Sequence, residues 1–197
     1  MNIEQTLIAD LKKVTDHYNQ NELAYLALTS KIELPVRDKW AFLLHESLWP
    51  EFVVTKEWRR TDIAVLQNVI PECLIELKAM YSFDALNGRS LEEYIQKMNA
   101  DEKKAQETSS NNATIYTVLL ATHPKSLVPE NLKTAIAYSW YINGAFKRYL
   151  TQENILTICQ KNVDEKLINK NVVARGALHG GEAFGISTDV LYWIVRK

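Results

Sequence analysis

Arg60-Thr61-Asp62-Ile63-Ala64-Val65-Leu66-Gln67-Asn68-Val69-Ile70-Pro71-Glu72-Cys73-Leu74-Ile75-Glu76-Leu77-Lys78 holds two β-rich runs, 63–66 and 73–78, parted by a short segment of different character. Asn68 and Pro71 are turn-forming residues, so the stretch reads as a hairpin centred near Val69. That centre sets Asp62 opposite Glu76, Ile63 opposite Ile75 and Val65 opposite Cys73. Side chains alternate along a strand. Ile63, Val65, Cys73, Ile75 and Leu77 therefore make one continuous apolar face, and Asp62, Glu76 and Lys78 gather on the other.

Upstream, Ile3, Leu7, Leu11 and Val14 recur at three- and four-residue steps, which predicts one or two amphipathic helices over residues 3–29. A further helix is expected from Val36 or Arg37 to Leu48, bounded by Pro35 and Pro50, followed by a strand at Phe52-Val53-Val54. Downstream, Ser90 and Glu93 have capping-box spacing and predict a helix to about Thr108, ended by the loop Ser109-Ser110-Asn111-Asn112. A strand is expected over 114–122, and Pro129 opens a helix whose Leu132, Ala135 and Ile136 share a face. Thr151 caps a helix to about Lys166, and strands at 172–178 and 189–195 flank the link Gly180-Gly181-Glu182-Ala183-Phe184-Gly185. The fold class is α/β, a mixed central sheet flanked by helices, in the order α-β-β-β-α-β followed by a helical and β-hairpin extension.

At 197 residues the chain fits one domain, with a core at about 37–124, N-terminal helices at 1–36 and an extension at 125–197. The composition, 47% hydrophobic and 24% charged, is too apolar for disorder. A net charge of −1 provides no global basic field, so any polyanion must be met by a local patch. Cys73 and Cys159 lack CxxC spacing and sit in apolar surroundings, which points to reduced thiols, a cytoplasmic setting and no zinc site. No apolar run reaches the roughly 18 residues of a membrane span, and no export or membrane association is expected.

Glu76 and Lys78 stand on the same side of one strand, separated by about 7 Å of rise. Two like-charged carboxylates side by side are unfavourable unless a cation lies between them, and hard oxygen ligands suit Mg²⁺ or Mn²⁺. Such an ion lowers the pKa of a bound water and stabilises charge gathering on a phosphate. Lys78 would orient the nucleophilic water or bind the scissile phosphate as a compact point charge. Lys56, Arg59 and Arg60 form a basic cluster beside these residues, for which phosphate binding and a solvated hairpin edge are alternative readings.

Asp62 followed fourteen residues later by Glu76-Leu77-Lys78 resembles the PD-(D/E)xK, or restriction endonuclease-like, nuclease superfamily. Thr61 stands where the literal motif has proline. The resemblance covers residues 37–124 and implies an αβββαβ core, which agrees with the order above. It implies Mg²⁺-dependent hydrolysis of DNA with Asp62, Glu76 and Lys78 catalytic and Asp62 and Glu76 as metal ligands. It also implies an acidic residue on the helix before the sheet, for which Glu46 is chosen over Glu51. The helix after the third strand should flank the site, and there Lys97, Asp101 and Lys104 fall on one stripe. DNA is the expected partner, in restriction, defence or repair, with a homodimer or larger complex as the assembly. The alternative is a nuclease-like fold without activity that binds nucleic acid or protein.

Other features have plainer readings. His45 carries no assigned role, and His123 reads as a hydrogen-bonded structural histidine. Arg175 to Gly181 lacks the lysine spacing of a phosphate loop and reads as a turn. Trp140, Tyr141, Phe146 and Tyr149 read as core packing or a dimer face rather than a base-stacking platform.

Overall fold

A computed structural model describes residues 2–109 and 113–197. The expected loop residues 110–112 lie outside the described residues. Six strands form one mixed sheet: β1 (Val53–Trp58), β2 (Thr61–Gln67), β3 (Ile70–Tyr81), β4 (Thr114–Pro124), β5 (Asn171–Ala183) and β6 (Ile186–Arg196). Their spatial order is β1-β2-β3-β4-β6-β5, with β3 and β4 parallel and every other neighbouring pair antiparallel. The helices are α1 (Ile3–Lys13), α2 (Glu22–Thr29), α3 (Glu33–Leu48), α4 (Gly88–Thr108), α5 (Ser139–Tyr149) and α6 (Gln152–Lys166). The single parallel pair needs a crossover, and α4 supplies it.

The β2–β3 hairpin has the expected register where it bears on the charged residues: Ile63 pairs with Ile75 and Val65 with Cys73. Asn68 and Val69 both take left-handed φ values, 49° and 65°, the pattern of a tight two-residue hairpin turn. A bulge between Val65 and Leu66 reconciles this turn with the register, so Leu66 faces Pro71 rather than Glu72. The predicted apolar face is buried: Ile63, Val65, Cys73, Ile75 and Leu77 pack with Leu7, Leu11, Trp40 and Leu44 of α1 and α3. Each fully buried Leu or Ile there contributes about 1.5–3 kcal/mol. Trp40 also donates its indole N–H to the Leu7 carbonyl at 3.1 Å, which satisfies the one polar atom it takes into the core.

Three boundaries differ from expectation. Helix α3 begins at Glu33, ahead of Pro35, because proline is tolerated in a first turn, where its missing N–H has no intrahelical partner anyway. Asn87, rather than Ser90, caps α4 by accepting from the Arg89 N–H at 3.0 Å. The helix expected from Pro129 is only a 3-10 turn at Glu130–Leu132, and α5 starts later, at Ser139. Tertiary bonds take up the backbone of this region instead. Asn143 bonds both the N–H and the carbonyl of Val128, and the Ala137 N–H reaches the Leu28 carbonyl. Thr151 does cap α6, accepting from the Asn154 N–H at 3.2 Å.

The C-terminal hairpin completes the same sheet, with β6 against β4 and β5 at the edge. Gly180 and Gly181 lie within β5, and the turn is Phe184-Gly185. Gly181, at φ 84°, sits at an irregularity in the β5–β6 ladder and close to Asn21, whose side chain accepts from the Glu182 N–H at 2.9 Å. Cys73 and Cys159 are both free and buried. Among the described residues no helix is long and apolar enough to cross a membrane.

Candidate functional site

The side of β3 turned toward α4 is apolar at both ends and charged in the middle. At one end Leu74 packs with Ala64, Leu66, Ala105 and Ile115. At the other Met80 packs with Leu91, Ile95, Met98 and Leu119. Glu76 and Lys78 fall between these two clusters, so the strand's alternation drives two charges into an otherwise apolar layer.

Strand pairing also gives out here. β2 begins at Thr61 while β3 runs on to Tyr81, so the far end of β3 has backbone N–H groups with no β2 partner. Carboxylates meet them. Asp62 Oδ2 accepts from the Leu77 N–H at 2.8 Å, and Glu33 Oε2 accepts from the Ala79 N–H at 3.1 Å. Both acids are thereby anchored to the strand that carries Glu76 and Lys78.

Glu76 is 4% exposed, and its Oε1 has no hydrogen-bond partner; the nearest cation, Lys104 Nζ, is 3.9 Å away. Burial, then the charges of Asp62 and Asp101, push its pKa up to about 8 against the opposing pull of Lys104 and Lys78. Glu33 is also raised, by burial first, with Lys78 lowering and Asp62 raising it. Lys78 donates to the Leu77 carbonyl at 2.9 Å and lies 2.6 Å from Asp101 Oδ2. Burial alone would lower its pKa, but the bond to Asp101 and the charges of Glu33, Asp101 and Asp62 raise it, so the ammonium stays charged. Lys104 donates to the Arg60 carbonyl at 2.8 Å and so ties α4 to the β1–β2 turn above Glu76.

Arg37 is a buried cation on the other side of Asp62. It bonds Asp38 and Glu57 and lies 3.7 Å from Asp62 Oδ1. It therefore lies against the Asp62 oxygen that Leu77 does not use, and the cation nearest Glu76 remains Lys104.

Asp62, Glu76, Lys78, Asp101 and Lys104 thus come together as the spacing predicts. Glu46 does not join them. It is exposed on α3, thirteen residues beyond Glu33, which is about 20 Å along the helix, and Glu51 is exposed as well. The acid that the preceding helix does bring to the sheet is Glu33, the first residue of α3. Its signal was an acidic residue two positions before a proline, a helix start hidden by reading Pro35 as a boundary.

Of the basic candidates, Lys56 is 3.0 Å from Asp38, and Arg59 stacks on Trp58 at 4.6 Å. Arg60 is in the turn that Lys104 grips, while Lys97 is exposed on α4 with its ammonium 5.1 Å from the Tyr94 ring centre. His123 is buried and bonded to Ser82 at 3.1 Å, with burial lowering its pKa, the structural role expected. Trp140 and Tyr141 are 78% and 60% exposed, which overturns core packing for both, whereas Phe146 is buried.

No protein-family model matches the chain, and no curated protein or solved structure matches it either. The arrangement therefore has to be read on its own chemistry. Among the described residues no three acidic, histidine or cysteine side chains converge as a ready-made metal cage. The donor set is nonetheless of the right kind for Mg²⁺, which is bound through one or two carboxylates and keeps several waters. Glu76 Oε1 is buried and accepts no hydrogen bond, with the Lys104 ammonium 3.9 Å away.

Proposed function

We propose that this chain is a metal-dependent nuclease that hydrolyses DNA phosphodiester bonds, built on a restriction endonuclease-like core. The observation that carries this reading is Glu76, a buried carboxylate whose Oε1 accepts no hydrogen bond, beside Asp62 and two residues from a charged lysine. Burying such a group costs stability unless a cation compensates it, and the other face of the same strand is uniformly apolar. The element order α3-β1-β2-β3-α4-β4 supports the family reading.

Asp62 and Glu76 would hold Mg²⁺ or Mn²⁺. When bound, the ion supplies an activated water and charge stabilisation at the phosphate. The remaining roles belong to the chain. Leu77 N–H and Arg37 fix the orientation of Asp62, so its carboxylate is organised before any ligand arrives. Asp101 keeps Lys78 protonated and aims it, and the ammonium then orients the attacking water or neutralises a non-bridging phosphate oxygen. Lys104 lies 3.9 Å from Glu76 and, with Arg59 and Arg60 of the turn it grips, would offer positive charge to the flanking backbone phosphates.

The test is nicking of supercoiled plasmid with and without Mg²⁺. Cleavage by the wild type that requires the metal and is lost in Asp62→Ala and Lys78→Ala is expected. Cleavage that persists in both variants would remove the assignment. A nuclease-like fold that only binds nucleic acid would retard the plasmid without cutting it, and one that only binds protein would do neither.

A further inference from the structure

Beyond the last turn of β3 the chain builds a ladder of aromatic rings that leads from the core to the surface. Tyr81 is 2% exposed, and its ring stacks on Phe83 at 5.1 Å between centres and 17° between planes. Phe83 in turn stacks on Tyr141 of α5 at 5.5 Å and 18°. Tyr141 is the outermost rung, and Trp140 beside it is more exposed still. Phe83, Trp140 and Tyr141 line a shallow groove of about 210 Å³ together with Asn87, Arg148 and Tyr149. Near-parallel rings at these separations are the offset-stacked geometry that aromatic systems prefer. The ladder therefore ends in an open face that accepts one more flat ring.

One cation, Arg148, lines the groove, and others stand on the elements beside it. Arg148 lines it and lies over Tyr149 at 5.3 Å, and Arg89 stands beside Asn87 at the start of α4. Lys31 and Lys97 both lie over the Tyr94 ring, at 5.5 and 5.1 Å. Two acids are close by: Asp84 accepts from the Tyr81 N–H at 2.9 Å, and Glu93 is 3.6 Å from Arg89. From there α4 continues to the charged site without a break, since Tyr94, Lys97, Asp101 and Lys104 follow at three- and four-residue steps on one stripe. That stripe is about 15 Å long.

We propose that the Phe83–Tyr141–Trp140 groove binds single-stranded nucleic acid, stacking its bases while Arg148, Lys97 and Lys31 follow the phosphates, and so leads an unpaired strand toward Lys78. Base stacking on an exposed aromatic face is sequence-tolerant and needs unpaired bases, so the substrate class is a nucleic acid with a single-stranded end or flap. This rests on the nuclease reading for its purpose but not for its binding chemistry.

The experiment is fluorescence anisotropy with a labelled oligo-dT twelve-mer and, separately, a blunt duplex of equal length, in EDTA so that no cleavage intervenes. The wild type should bind the single strand more tightly than the duplex. The double variant Trp140→Ala/Tyr141→Ala, which removes the exposed Trp140 ring and the Tyr141 ring stacked on Phe83, should bind it at least tenfold more weakly while its thermal melting stays cooperative. Trp140→Phe/Tyr141→Phe should restore most of the affinity. Binding is read in EDTA and nicking in Mg²⁺, so a wild type that binds the twelve-mer without nicking plasmid removes the nuclease reading and leaves the groove assignment standing. Failure of the wild type to bind the twelve-mer, equal loss of single-strand and duplex binding in the double variant, or a dimer that the double variant dissociates with no oligonucleotide bound would each overturn the groove assignment.

Discussion

The two faces of β3 are made from alternate residues of a single strand and meet opposite fates. Toward α1 and α3 the residues Cys73, Ile75, Leu77 and Ala79 are buried in a continuous apolar layer. Toward α4 the residues Leu74, Glu76, Lys78 and Met80 begin and end in apolar clusters, with two charges between them. One face is explained by burial alone. The other carries a carboxylate that destabilises the fold in which it sits, and such a cost is retained where a site needs it.

Cutting the charged face should give the largest effect on activity and a small one on stability. Lys78→Ala is expected to lower plasmid nicking by about 10²–10³-fold, the scale for removing one group that stabilises developing charge. Cutting the apolar face should do the reverse. Ile75→Ala leaves a cavity in a fully buried position and should cost about 2–5 kcal/mol in urea unfolding, with nicking per folded molecule preserved. Comparable activity losses in both variants would erase the distinction between the faces.

Between these extremes lies Glu76 itself. Its pKa rises on folding from the ordinary carboxylate value to about 8, so the folded protein binds the proton more tightly than the unfolded chain does. No penalty exists below about pH 4.5. It grows as pH climbs through the interval and is complete above about pH 8, on the order of 2–4 kcal/mol after allowance for screening. Glu76→Gln should therefore stabilise the metal-free protein at pH 8 and match the wild type near pH 4.5, as read by thermal melting at each pH. Mg²⁺ at ten times its dissociation constant should restore about 1.4 kcal/mol to the wild type at pH 8, with no such gain in Glu76→Gln.

How much of this was legible follows from the same contrast. The hairpin register was readable because a two-sided strand penalises any slip, and the apolar face left one pairing that buries Ile63, Val65, Cys73, Ile75 and Leu77 together. The bulge at Leu66 shifts the pairing only near the turn, so the charged residues met as expected. Glu46 was preferred to Glu33 because a helix bounded by Pro35 leaves Glu33 outside it, whereas α3 starts at Glu33. The segment after Pro129 has helical periodicity, yet Asn143 and Leu28 bind its backbone from elsewhere in the chain, which local pattern cannot show. Exposure of Trp140 and Tyr141 was equally hidden, since an aromatic stripe reads the same whether or not another element covers it.

The smallest expected effect lies at Glu33, which belongs to α3 on the apolar side but reaches the edge of β3 that the charges occupy. If it serves only to satisfy the Ala79 N–H, Glu33→Gln keeps an acceptor at the same place and nothing else changes. If its charge belongs with Asp62, Glu76 and Lys78, the amide preserves the bond but weakens the field that helps keep Lys78 protonated. The second outcome is expected: thermal stability within about 0.5 kcal/mol of the wild type, as for a substitution that conserves the hydrogen bond, and nicking about tenfold lower, worth about 1.4 kcal/mol. Unchanged nicking in Glu33→Gln would return Glu33 to the role of a strand-edge cap and confine the charged set to β2, β3 and α4.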